Sequence, residues 1–248
     1  MDIITTLNCH RSIRKYKNKK VDDDLLKMIL SAGCRASTTG NMQVYSIINT
    51  TDEKIKEELL PVHFGQKMII QAPHVLTFCA DFNRFKQWCY LSDATPGYDN
   101  FLSFLTAAID ALLVAQNVAV AAESRGLGIC YLGTTIYNAE EIIRILELPK
   151  GVVPVTTITL GWPDEEPGLT DRLPVEAVVH EEKYNTNTLE RIKQLYQEKE
   201  SLPENLNFIR ENGKKTLAQV FTDVRYKKTD NEFFSERILK VLRMQGFL

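Results

Sequence analysis

Paired cysteines are missing from this chain. Its five cysteines (Cys9, Cys34, Cys79, Cys89, Cys130) are an odd number with no C-x-x-C. That argues against a disulfide framework or a zinc site and fits a reducing cytoplasm. The four histidines, His10, His63, His74 and His180, show no H-E-x-x-H or other ligand spacing, so no catalytic metal is expected. No G-x-S-x-G elbow is present. The glycine fingerprint of a Rossmann dinucleotide site is lacking too. Gly126-Leu127-Gly128 has no third glycine and follows a helical pattern rather than preceding one. Charge of one sign is not in excess: 30 Lys and Arg against 32 Asp and Glu leave a formal charge of −2. This gives no electrostatic case for nucleic acid or a membrane surface. Met1-Asp2-Ile3-Ile4 has no basic segment leading into an apolar one, so a secretory signal is not expected. Repeats and low-complexity segments are not visible. One long apolar stretch exists, 101–123, and Asp110, Gln116 and Asn117 interrupt it. Their cost in lipid argues for a buried core or interface helix over a membrane span.

What remains is ordinary soluble material, 44% hydrophobic and 25% charged over 248 residues. A short helix is expected at 2–8. A second starts at Asp22-Asp23-Asp24, where acidic side chains suit a helix N-terminus, and stops near 33–35. Residues 36–41 read as a loop, 44–49 as a strand, 52–60 as a helix and 75–80 as a buried strand. Residues 82–100 read as an excursion containing a loop. A strand at 129–132 and a helix at 139–146 follow. Residues 154–161, rich in β-branched side chains, should form a central strand. Helices are expected at 186–199 and 231–243, with a polar and mobile segment between them at 201–228. The absence of a βαβ rhythm predicts an α+β domain over 1–185, with 186–248 as a helical extension of it.

The chemistry gathers at His10-Arg11-Ser12-Ile13-Arg14. Two guanidiniums and a hydroxyl within five residues can grip a phosphate monoester, because arginine makes forked contacts to phosphate oxygens. A solvated charge run, continued by Lys15, Lys17, Lys19 and Lys20, is the alternative reading. Arg172, beyond the strand and loop ending in Leu160-Gly161-Trp162-Pro163, could converge on the same phosphate. Ser37-Thr38-Thr39-Gly40-Asn41 offers hydroxyls and amides, or is a plain connection. Gly65-Gln66-Lys67 is either an amide contact to a heterocycle or a surface turn. Cys34 and Cys130 are expected to be buried structural residues.

In this order and spacing the segments resemble the flavin-dependent nitroreductase family, over most of residues 5–184. The motifs are those just quoted, together with Cys79-Ala80-Asp81-Phe82-Asn83-Arg84, Ala121-Ala122-Glu123-Ser124, Gly126-Leu127-Gly128 and Arg172-Leu173-Pro174. The resemblance is closest to the oxygen-insensitive, NADPH-dependent nitroreductase and flavin reductase branch. It implies a sandwich with a central mixed sheet flanked by helices, and an intertwined homodimer with FMN in the interface. It implies that Arg11, Ser12 and Arg14 bind the FMN phosphate and nearby oxygens, with His10 at the same edge. Thr38 and Thr39 would lie beside FMN, Gln66 against the isoalloxazine, Tyr131, Leu132, Gly133 and Thr134 along the flavin, and Arg172 on the phosphate. Close relatives carry a lysine where this chain has Thr170. The implied activity is hydride transfer from NADPH or NADH through flavin N5 to nitroaromatics, quinones or flavins, by a ping-pong cycle in the cytoplasm. A reductive dehalogenase type of flavoenzyme and a non-catalytic flavin-binding protein are the other readings.

Overall fold

A computed structural model describes residues 2–248. Helices α1 (Ile3–Asn8) and α2 (Asp23–Gly33) open the chain. Asp22 caps α2 by accepting from the amides of Asp24 and Leu25, and Asp23 and Asp24 face the positive end of its dipole. Then follow β1 (Tyr45–Thr50), α3 (Glu53–Val62), α4 (Met68–Gln71) and β2 (His74–Asp81). Helix α5 (Asn83–Leu91) occupies half of the stretch read as an irregular excursion, and α6 (Phe101–Ser124) comes next. The series closes with β3 (Gly128–Leu132), α7 (Ala139–Ile145) and β4 (Val152–Gly161).

The four strands form one sheet in the order β1-β2-β4-β3. Among the described residues every strand pair is antiparallel, where the family resemblance implied a mixed sheet. Parallel pairing is reduced to one isolated bridge, Ser12 to Ile129. The β-branched content that marks a strand carries no information about its neighbour's direction, so strand pairing is decided by the tertiary fold.

Side chains alternate across the sheet. Leu76, Phe78, Ile129, Ile158 and Leu160 face one way, against Leu26 and Ile29 of α2 and Ala111, Val114, Ala115 and Val118 of α6. Val75, Cys130 and Leu132 face the other way, with Leu59, Val62, Met68 and Ile142 from α3, α4 and α7. By length and composition α6 could cross a membrane, with a mean hydropathy of 1.7 in its most apolar window. Its inward residues are instead mostly alanine and valine, which lets α2 and the sheet approach closely. Gly33 shows how closely: a Cβ there would lie 2.2 Å from Val118 Cγ2.

Contacts divide the chain into two compact units. One runs to Gly168 and adds Phe234–Leu248; the other is Leu169–Phe233. In the first unit, the end of the chain seats Val241, Leu242 and Phe247 in a cluster with Phe82, Ala107 and Val153. Arg237 there donates to Asn138 (2.9 Å) and Glu141 (2.5 Å) on and before α7. The second unit holds α8 (Leu189–Ser201), α9 (Pro203–Glu211) and α10 (Leu217–Val220), and in it begins α11 (Lys228–Gln245). Residues 201–228, read from the sequence as a polar and mobile segment, carry two helices and a π turn at Phe221–Arg225. Polar composition misled there, because small helices can be held by few apolar anchors, here Leu217 and Val220, with Arg225 4.4 Å from the Phe208 ring centroid.

Candidate active site

The arginine strip lies along the edge strand β3. The amide of Ile13 donates to the Ile129 carbonyl at 2.8 Å. Ile13 itself is buried against Gly128, where a Cβ would stand 2.6 Å from Ile13 Cγ1. Tyr16 pins the end of the strip. Its hydroxyl donates to the Ile13 carbonyl (2.7 Å) and lies 2.8 Å from Thr159 Oγ1. Burial raises the pKa of that phenol. The chain leaving β4 closes over the strip, with Lys17 N–H on the Trp162 carbonyl and Asp164 N–H on that of Lys15, both at 2.9 Å.

This segment receives negative charge. The amides of Arg14 and Lys15 both donate to one carboxylate oxygen of Glu165, at 2.5 and 3.1 Å. Arg11 Nη1 meets Glu166 at 3.1 Å, while Arg11 Nε is buried with no partner. His10 Nδ1 lies 2.7 Å from Glu123 Oε1. Burial raises the Glu123 pKa, and His10 opposes that shift. A cavity of about 330 Å³ opens among Arg11, Glu123, Gly128, Glu165 and Glu166. Cys130 sits behind the strip. Its thiol is raised by burial, against the lowering effects of Arg14 and of a hydrogen bond with Ser12. Arg14 is exposed.

Tyr131, Leu132, Gly133 and Thr134 follow along the same strand and the 3-10 turn after it. The Tyr131 hydroxyl donates to Gln116 of α6 at 3.2 Å, and Leu132 is fully inside the core. Gly133 is exposed, and a Cβ on it would meet no atom within 4 Å, so its backbone borders open space. Thr134 Oγ1 lies 2.8 Å from Nδ1 of buried His63. That bond ties the end of β3 to the turn carrying Gln66, where Phe64 (φ 56°) and Gly65 (φ 69°) are both left-handed. Thr38 and Thr39 sit elsewhere in this unit, anchored to α6: Thr39 N–H donates to buried Asp110 at 3.0 Å. Gly40, Asn41 and Gln43 beside them are also left-handed. Non-glycine residues rarely hold that conformation and concentrate at functional sites.

The structure therefore brings His10, Arg11, Ser12, Arg14 and Tyr131–Thr134 onto one edge, and links Gln66 to it through His63. Thr38 and Thr39 belong to a separate patch of the same unit. Arg172 lies in the second unit, exposed, its Nη1 donating to the carbonyls of Asp171 (2.9 Å) and Thr170 (3.3 Å). Cys130 is buried as expected, but Cys34 is exposed, because it caps the end of α2 rather than lying on its inward face. Sequence reading gave no site role to His63 or Glu165 and used Asp110 only as an argument against a membrane span. A polar residue inside an apolar run is the signal that marks Asp110; Glu165 looks like any other loop carboxylate. Among the described residues no cluster of His, Cys, Asp or Glu could hold a metal ion.

The chain is similar to known proteins over most of its length. The model of the nitroreductase family matches residues 8–162. The oxygen-insensitive NADPH nitroreductase of Salmonella typhimurium is 42% identical over 175 residues, 71% of each chain. A crystal structure from Bacteroides fragilis is 56% identical with a TM-score of 0.97, covering 98% of this chain and 99% of that one. The NADPH:FMN oxidoreductase of Vibrio harveyi, complexed with NAD+, is 29% identical with a TM-score of 0.82, covering 99% and 98%. With the matched region containing the arginine strip, the whole sheet and the helices that cover it, this chain belongs to the nitroreductase family.

Proposed function

We propose that this protein is an FMN-dependent NAD(P)H oxidoreductase that reduces nitroaromatics, quinones or flavins by a ping-pong cycle. The observation that carries the reading is the anion-receiving strip on β3: two adjacent amides aimed at one carboxylate oxygen, with a guanidinium alongside. Such a donor set suits a phosphate monoester, with the carboxylates of Glu165 and Glu166 standing where anionic oxygens are accepted. Open space beside the Gly133 backbone suits close approach of a flat ring. The relatives' names, NADPH nitroreductase and NADPH:FMN oxidoreductase, support the same cofactor and donor.

FMN held at this strip would supply the two-electron redox chemistry that links the nicotinamide donor to the acceptor. The protein's part is binding and orientation. Arg11, Ser12 and Arg14 hold the phosphate and neighbouring oxygens, with His10 fixed by Glu123 at the same edge. Gln66 and the backbone of 131–134 meet the ring. Thr38 and Thr39 fit a role across an interface: in one protomer they form their own patch, and a second copy would bring that patch to the flavin.

That second copy has a surface to dock on. Leu102, Leu105, Ile109, Leu112 and Leu113 of α6 are exposed, as are Ile3, Ile4 and Leu7 of α1. An apolar face of this extent on a soluble chain marks an interaction site. The homodimer predicts a sedimentation mass twice the chain's 28.3 kDa, shifted toward the monomer by Ile109→Glu and Leu112→Glu together. A monomeric wild type would remove the interface from the proposal.

The purified protein should be yellow, and NADPH or NADH should bleach it anaerobically. Bleaching by neither would favour a non-catalytic flavin binder. Steady-state oxidation of either nucleotide with both nitrofurazone and quinones separates a nitroreductase from a dehalogenase type. Arg14→Ala should weaken FMN binding about tenfold, the loss of one charged hydrogen-bond partner at about 1.5 kcal/mol. An unchanged flavin titration removes Arg14 from the site.

A further inference from the structure

A second cleft, of about 440 Å³, shares no lining residue with the cavity at the arginine strip. Its walls are the segment before α2, the start of α3 and the end of α4. Four lysines line it, Lys17, Lys19, Lys20 and Lys56, against two carboxylates, Glu53 and Glu57.

Lys56 sets this cleft apart from a solvated charge run. It is 5% exposed, and its Nζ donates to the Ala72 carbonyl at 2.6 Å. An ammonium has three donors, and burying one is costly unless it is paired. Burial lowers the Lys56 pKa, and Glu53 opposes that only in part. Burial lowers the pKa of His74, with Lys56 and Lys20 adding to that shift and Asp23 opposing it. At the rim, Lys19 stands 4.1 Å from the Trp162 ring centroid and Lys20 pairs with exposed Asp23 at 3.1 Å. Lysine is a flexible point charge suited to phosphoryl oxygens. The volume is that of a small-molecule site.

We infer that this cleft binds a phosphoryl group, as free phosphate or as the phosphate of a small phosphomonoester, with Lys56 at its floor and Lys17, Lys19 and Lys20 around its rim. The site is independent of the flavin site. A cation with unused donors is completed by an arriving oxyanion, and the excess of lysine over glutamate at the walls makes the approach favourable.

The test is isothermal titration of the protein as purified, its flavin content recorded by absorbance, with inorganic phosphate and separately with AMP. Saturable uptake near one equivalent per chain is expected from at least one of them. Uptake of AMP without uptake of phosphate assigns a phosphomonoester; uptake of both assigns the phosphoryl group alone. Lys56→Met should weaken binding about tenfold, corresponding to about 1.4 kcal/mol, with flavin content unchanged. Should that variant fail to fold, the exposed pair Lys17→Ser and Lys20→Ser should together weaken binding and flatten its salt dependence. No saturable uptake, uptake indifferent to these substitutions, or uptake abolished by saturating the protein with FMN would each overturn the inference. Loss of the flavin reading alone, through a colourless protein that still takes up phosphate in a Lys56-dependent way, would leave it standing.

Discussion

Stability should fall by about 3 kcal/mol as the pH drops from 6.5 toward 4, with His63 as the main source. The imidazole is completely buried, and burial holds its pKa at about 4, below the ordinary 6.5. The native state therefore binds fewer protons than the unfolded chain across that interval, and unfolding becomes easier as protons are added. The contribution is fully present above pH 6.5 and lost as the pH falls to about 4; at about 1.4 kcal/mol per pH unit this gives the stated magnitude. The cause is local. Nδ1 is engaged with Thr134, and Nε2 is buried with no partner, so an imidazolium there would have nothing to balance its charge. His74, also lowered by burial, adds in the same direction. Urea unfolding at intervals from pH 7 to 4, for the wild type and His63→Gln, measures the effect. The variant should show the shallower slope; equal slopes would relieve His63 of this role. Because Thr134 lies in the turn that follows β3, retention of FMN should weaken over the same interval.

Gly128→Ala should cost about 1–3 kcal/mol, the range for forcing a group into a filled core, and should also loosen FMN. The new methyl would fall 2.6–2.9 Å from three atoms of Ile13, a stiff β-branched side chain that cannot swing away. Either Ile13 moves, or β3 does. Since Ile13 is the buried member of the arginine strip, its displacement carries Arg11, Ser12 and Arg14 off β3. Ile13→Ala in the same chain should recover part of both losses, a coupling that a double-mutant cycle reads directly. Gly97→Ala, with open space around it and no left-handed backbone, serves as the control and should change little. Flavin binding unaffected by Gly128→Ala would separate the strip from the cofactor.

Much of the element order could be read from the chain. Asp22 and Asp52, each followed by an acidic first turn and apolar spacing, start helices where expected, and the β-branched run before Gly161 became an interior strand. The arginine strip was legible because basic and hydroxyl residues cluster within five positions. The misses have one origin. Helix α5 has a weakly amphipathic, aromatic-rich sequence, α9 is largely polar and α10 is a single four-residue turn, so their apolar anchors are too few to stand out by periodicity.

The sequence by itself determined most of the element types and the basic cluster at 10–14, because caps, periodicity and charge clusters are local properties of a chain. Only the tertiary structure decided that the sheet is antiparallel throughout. It also decided that Glu165 and Glu166 meet the arginine strip, that His63 is sealed against Thr134, and that Lys56 lies at the floor of a cleft. Each of these depends on residues far apart in the chain meeting in space, and on the loss of water around them, which no local pattern encodes.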